Sequence, residues 1–133
     1  MRLSVAFALA LWALPAAAEQ VDCEAALSTA DMLSCADAAL NEADTRLEAL
    51  QGEVAALLQV AEADMSPGLR DGTVQLEKAQ EAFLIYRDAA CRVEGWPMRG
   101  GSGEPLLVYG CMLQMTLQRI ADLEAFLEIM RDY

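Results

Sequence analysis

The sequence has no histidine and a single lysine, Lys78, among its 133 residues. These absences remove the usual bases that activate a Ser or Thr nucleophile. Without His or a C-x-x-C pair, little remains to hold a structural zinc ion. Carboxylates are abundant, but they fall on predicted solvent faces, where they are better read as solvated charge than as a glycosidase pair. The sequence therefore favours a protein that is not an enzyme and that uses neither a metal nor a cofactor.

Positive charge is also scarce. The chain carries 9 Lys and Arg against 21 Asp and Glu, a formal net charge of −12. Nucleic acid and anionic membrane surfaces are disfavoured as partners, because binding them depends on neutralising phosphates with Lys and Arg. A field of this sign attracts a cationic partner and speeds their encounter. The plainer explanation is that acidic surfaces keep an exported protein soluble.

Long apolar runs are missing except for one near the start, Leu3 to Leu14, which follows Arg2 and precedes the A-x-A site Ala16–Ala18. This pattern predicts a signal peptide at 1–18. The run is shorter than the ~20 residues that a membrane anchor needs. We therefore expect residues 19–133 to form one exported domain, periplasmic or fully secreted. Loss of Arg2 leaves 8 basic and 21 acidic residues, a net charge of −13.

Strand-like alternation is lacking, whereas apolar residues recur at helical spacing in three segments. The first helix is predicted from a cap at Ser28 or Thr29 to near Asp64, the second spans about 71–94, and the third begins near Leu106. The predicted buried stripes are Leu33, Ala36, Leu40, Ala43, Leu47, Leu50, Val54, Leu57 and Ala61; then Leu76, Ala79, Phe83, Tyr86, Ala90 and Val93; then Leu106, Tyr109, Leu113, Thr116, Ile120, Leu123, Leu127 and Met130. This pattern predicts an all-α fold, an antiparallel three-helix bundle.

Four cysteines lie in the predicted domain: Cys23, Cys35, Cys91 and Cys111. An even number in an oxidising compartment predicts two disulfides, for which three pairings exist. In an antiparallel bundle all four gather at one end. We favour Cys23–Cys35 with Cys91–Cys111, while Cys23–Cys111 with Cys35–Cys91 is also within reach.

Two polar residues interrupt the second helix where a plain core helix would carry aliphatics. Gln80 and Arg87 are seven apart, so they share the face that borders the predicted apolar stripe. Such a row predicts side chains that bond across to a neighbouring helix and fix its register. The candidate partners are Asn41, Asp44 and Asp122. Alternatively, the row is a surface patch for a partner protein.

Several short motifs together resemble the LprI-type lysozyme inhibitor family, also known as DUF1311 or YecT-like. They are Cys23 and Cys35 twelve apart, Ala36-Asp37 with Leu40-Asn41, Ala79-Gln80-x-x-Phe83-x-x-Tyr86-Arg87-Asp88-x-x-Cys91, Gly101-Ser102, and Cys111 followed by Thr116, Arg119 and Leu123. Two positions depart from the family pattern, which usually has Trp at Phe83 and an aromatic residue at Asp44. The resemblance implies an all-helical envelope domain that binds and inhibits lysozyme, a strongly basic protein in its common animal form.

An inhibitor needs no catalytic residues, only a rigid patch or protrusion that blocks the substrate cleft. The candidate binding residues lie around the glycine-rich loop: Glu94, Trp96, Gly101, Ser102 and Glu104. Trp96 would act as an aromatic anchor, unless it folds back over the bundle end, and the glycines could simply make a flexible connection.

Two further possibilities stay open at the level of sequence. The domain could be a non-catalytic envelope interaction module, or an immunity-type partner of a peptidoglycan-degrading toxin. An apolar stripe left after the bundle closes, such as Leu58 with Leu84, could support a homodimer.

Overall fold

The computed structural model describes residues 21–132 and is all-helical over that range. Helix α1 spans Thr29–Ala63, α2 spans Gly72–Glu94 and α3 spans Glu104–Arg131, with 3-10 turns at Pro67–Leu69 and Trp96–Met98. The predicted signal peptide at 1–18 lies outside the described residues. Between residues 21 and 132, no helix has the length and apolarity needed to cross a bilayer.

Helix boundaries follow local chemistry. Ser28 caps α1 as predicted, its hydroxyl accepting the backbone N–H of Asp31 at 3.0 Å. Pro67 opens the turn after α1, and Pro105 stands in the first turn of α3, where its missing N–H breaks no helical hydrogen bond.

The side-chain pairs between helices fix their relative directions. Between α1 and α3, Arg46 pairs with Glu124 and Glu53 pairs with Arg131. The residue numbers rise together along the two helices, so α1 and α3 run parallel. The α1–α2 pairs advance in opposite senses, Asp44 with Arg87 and Glu62 with Thr73. The fold is thus the expected up-down-up bundle, which places the start of α1, the end of α2 and the start of α3 at one end.

The apolar core is built chiefly from α1 and α3. Its buried members are Ala43, Leu47, Leu50, Val54, Leu76, Ile120, Leu123 and Leu127. Seven of these eight come from the two parallel helices, and Leu76 alone comes from α2. The stripes predicted for the first and third helices are confirmed at their centres and become half-buried toward their ends.

The stripe predicted for α2 is only partly right: Leu76 is buried and Phe83 and Ala90 are half-buried, but the other three positions are not buried. Tyr86 and Val93 are 65% and 73% exposed, and Ala79 is exposed as well. Besides Leu76, the helix buries Gln80, Arg87 and Cys91, each one residue after a predicted position. A one-residue shift turns the buried face by about 100°. The apolar pattern pointed to the wrong face because two of the four buried residues are polar.

Both disulfides form in the favoured pairing, Cys23–Cys35 and Cys91–Cys111. The first holds the N-terminal arm against α1, and the second joins the end of α2 to the start of α3. Cys91 is fully buried, whereas Cys23 is exposed. The two bridges therefore face different environments at the same end of the bundle.

Candidate protein-interaction site

A buried guanidinium joins the three helices near their middle. Arg87 is only 6% exposed. Its Nη1 donates to Asp44 Oδ1 on α1 at 2.5 Å and to Thr116 Oγ1 on α3 at 2.8 Å, and its Nε donates to Asp88 Oδ1 at 3.0 Å. Thr116, itself fully buried, also donates to Asp44 Oδ1 at 3.2 Å. Arg87 therefore links both neighbouring helices, as predicted, and Asp44 is its ionic partner.

Other predictions for the polar row are wrong in detail. Asn41 bonds to Asp37 within α1, and Asp122 accepts from Gln118 within α3, so neither reaches α2. Gln80 is buried, yet its Oε1 has no hydrogen-bond partner among residues 21–132, so it forms no bridge through this atom.

Two other residues of the LprI-type motif, Arg119 and Tyr86, take no part in the hydrogen bonds of Arg87. Arg119 lies over the Phe83 ring at 6.0 Å from the centroid, and its buried Nε has no partner in the described chain. Tyr86, which belongs to the same motif, is largely exposed to solvent.

The loop from Trp96 to Gly103 is closed by hydrogen bonds rather than left as a loose connection. Backbone bonds run from the N–H of Gly101 to Met98 O at 2.9 Å and from the N–H of Glu104 to Gly101 O at 3.2 Å. Both carboxylate oxygens of Glu104 point inward, one to the N–H of Gly100 at 2.6 Å and the other to Arg99 Nη1 at 3.2 Å. Glu104 thus holds the loop in shape, and its expected contact with a partner stays a prediction.

Glycine is required at two points of this region. Gly100 has φ of +78°, a conformation that residues with a Cβ rarely adopt. Gly95 packs so closely on α3 that an added Cβ would lie 2.6 Å from Val108 Cγ2. The end of α2 and the start of α3 therefore meet without a side chain between them.

Trp96 projects from this loop rather than folding over the bundle end. It is 65% exposed, and the guanidinium of Arg99 stacks on its ring at 5.1 Å from the centroid. Gly101 and Ser102 are also exposed. Glu94 lies apart from the loop, in a shallow groove of about 320 Å³ that it shares with Leu107. The structure therefore links Trp96 to Glu104 through Arg99, and leaves Glu94 on a neighbouring surface.

The sequence did not reveal the roles of two residues in these clusters, Arg99 and Thr116. Arg99 holds both Trp96 and Glu104; its position three residues after a Trp and five before a Glu was an available signal. Thr116 was assigned to the apolar stripe, and its spacing carries no sign that its hydroxyl accepts from Arg87.

The fold and the loop define a class: a small, acidic, disulfide-bonded helical domain that presents an exposed aromatic side chain on a hydrogen-bonded loop. The family described as "Lysozyme inhibitor LprI" matches residues 22–123, and the chain belongs to that family. Membership indicates an exported protein with a lysozyme-inhibitor-like role and a protein partner, in a family whose members are typically non-catalytic.

The chain is also similar to an uncharacterized protein of Rhizobium meliloti (strain 1021). The two are 37% identical over 119 residues, which cover 86% of each chain. No solved structure shows significant similarity to the chain.

Proposed function

We propose that this protein is exported to the periplasm, with a signal peptide cleaved after Ala18, and there binds and blocks a cationic lysozyme or related muramidase. Membership in the LprI family supports this class of target. The excess of 21 acidic over 9 basic residues suits an encounter with a basic enzyme. The observation that carries the proposal is the exposed Trp96 on a loop held by internal hydrogen bonds.

A rigid aromatic anchor is well suited to inhibition. Large aromatic side chains at the centre of an interface commonly contribute most of its binding energy. Because Glu104 and Arg99 already fix the loop, little conformational freedom is lost when Trp96 enters a pocket on the partner. The small exposed residues Gly101 and Ser102 let a partner surface approach the loop closely.

The test is inhibition of a C-type lysozyme in a cell-wall turbidity assay, using the protein expressed with its own leader and purified with its disulfides formed. Trp96→Ala should raise the concentration needed for half-inhibition by at least about tenfold, roughly 1.4 kcal/mol. Tyr86→Ala is the matched control, because Tyr86 is also 65% exposed but lies on α2 away from the loop. Equal effects of the two substitutions would reject the loop as the binding site.

If the unsubstituted protein does not inhibit the lysozyme, this enzyme is rejected as the target. The partner would then be sought among envelope proteins or peptidoglycan-degrading toxins.

A further inference from the structure

A second surface, on the side of the bundle between α1 and α2, has the features of a binding site. It is a groove of about 320 Å³. Two rows of side chains line it at i, i+4 and i+7 spacing, which places each row on one face of its helix. They are Asp44, Glu48 and Gln51 from α1, with Gln80, Leu84 and Arg87 from α2. We call this the α1–α2 groove.

Gln80, which lines the α1–α2 groove, carries a buried acceptor without a partner. Gln80 is only 7% exposed, and its Oε1 has no hydrogen-bond partner among the described residues. A buried polar atom without a partner destabilises the folded protein, so such an atom calls for an explanation. A ligand that donates a hydrogen bond from within the groove would supply the missing partner.

Two carboxylates give the α1–α2 groove its charge preference. Asp44 uses Oδ1 for Arg87 and Thr116, and across residues 21–132 its Oδ2 receives no hydrogen bond. Glu48 is exposed and forms no ion pair within that range. The single positive charge of Arg87 is already matched by Asp44 and Asp88. The groove therefore keeps a negative balance and favours a cation.

The apolar parts of the groove select the shape of that cation. Leu84, which is 38% exposed, contributes aliphatic surface beside the polar groups, and the buried Leu47 also lines the groove. A lysine side chain matches both features, because its methylene stem packs on apolar surface while its ammonium stays among polar groups. An ammonium has three N–H donors. Asp44 Oδ2 and the Glu48 carboxylate accept from it directly, and Gln80 Oε1, whose accessible surface is below 1 Å², accepts once its carboxamide turns toward the groove.

We infer that the α1–α2 groove receives a lysine side chain of the cationic protein partner. The inference rests on the proposed function for its partner, and it adds a second contact surface on the flank of the bundle. Contact with the groove would complement the aromatic anchor on the loop: Trp96 supplies apolar area, and the groove supplies charge recognition.

The first arm of the test uses a lysine side chain alone. Nα-acetyl-lysine N-methylamide is titrated into ¹⁵N-labelled oxidised protein and followed by amide chemical shifts, with Nα-acetyl-norleucine N-methylamide as the uncharged control. Shifts should appear along 44–51 and 80–87 with the lysine compound alone. Shifts elsewhere, or equal shifts with norleucine, would overturn the inference.

The second arm uses variants that separate binding from folding. Glu48→Gln should weaken binding of the lysine compound about tenfold. Glu42→Gln, which removes the same charge from an exposed position six residues earlier on α1, should leave it unchanged. Gln80→Met should abolish binding yet unfold at the same or a higher denaturant concentration, since it removes the unpartnered amide. A purely structural Gln80 would make that variant less stable.

The third arm compares the same variants as inhibitors of C-type lysozyme, which distinguishes a partner's lysine from a free amine. Glu48→Gln and Gln80→Met should weaken inhibition about tenfold relative to Glu42→Gln. Unchanged inhibition would overturn the role of the groove in partner binding while leaving the proposed function intact. If the unsubstituted protein does not inhibit lysozyme, the proposed function fails, and the shift map still decides whether the groove takes a lysine side chain.

Discussion

Arg87→Met tests whether the buried guanidinium holds the three helices in register. Removing one partner of a fully buried ion pair costs about 3–5 kcal/mol, because the other charge is left without compensation. Here the side chains of Asp44 and Asp88 are 37% and 50% exposed, so water can solvate both carboxylates. Thr116 is fully buried but keeps its bond to Asp44. We therefore expect the free energy of unfolding to fall by about 2–3 kcal/mol.

The assay is urea unfolding of the oxidised protein followed by circular dichroism. Arg46→Met is the matched control, because Arg46 also pairs with a carboxylate across two helices but has a side chain 59% exposed. Its loss should lower the free energy of unfolding by less than about 1 kcal/mol. If Arg87→Met were no more destabilising than Arg46→Met, the register role of Arg87 would be refuted.

Two further substitutions probe the disulfide-linked end of the bundle. Gly95→Ala places a Cβ 2.6 Å from Val108 Cγ2 and should lower the free energy of unfolding by about 1–3 kcal/mol in thermal or urea unfolding. The control Gly52→Ala has nothing within 4 Å of the new Cβ and should stabilise α1 by up to about 1 kcal/mol. Equal effects of the two substitutions would contradict the close packing at Gly95. Mild reduction followed by alkylation and mass spectrometry should label the bridge of the exposed Cys23 before that of the fully buried Cys91, and the reverse order would contradict the burial.

The helices and their bounds could be predicted because α1 and α3 bury regular apolar stripes and because Ser28, Pro67 and Pro105 mark their boundaries. The direction of each helix followed from the short connections. That topology brought the four cysteines to one end but left two pairings open, and the structure shows the favoured one. In these parts of the chain, local propensity and tertiary packing favour the same structure.

The packing of α2 could not be predicted in the same way. Periodicity analysis assigns buried positions to apolar residues, so it chose Tyr86 and Val93 over Gln80 and Arg87. Burial of Arg87 depends on Asp44 and Thr116, which lie 43 and 29 residues away in the sequence. Such compensation exists only after the three helices meet, and a single sequence does not display it.

The loop was predicted only in part for a related reason. The glycines indicated a turn, and Trp96 was a visible candidate for an anchor. Whether Trp96 projects or folds back depends on Arg99 and Glu104, whose contacts arise from the loop's own closure. The homodimer stripe of Leu58 and Leu84 stays a prediction. The two residues lie on different helices and line two separate grooves, which the sequence pattern did not indicate.

The most direct test of the account is the salt dependence of lysozyme inhibition by the oxidised protein. The screening length falls from about 30 Å at 0.01 M salt to about 8 Å at 0.15 M. An acidic inhibitor guided to a basic enzyme by its charge should inhibit in a dose-dependent manner at low salt and clearly less well at the higher concentration. No inhibition at a large molar excess, even at low salt, would contradict the central claim.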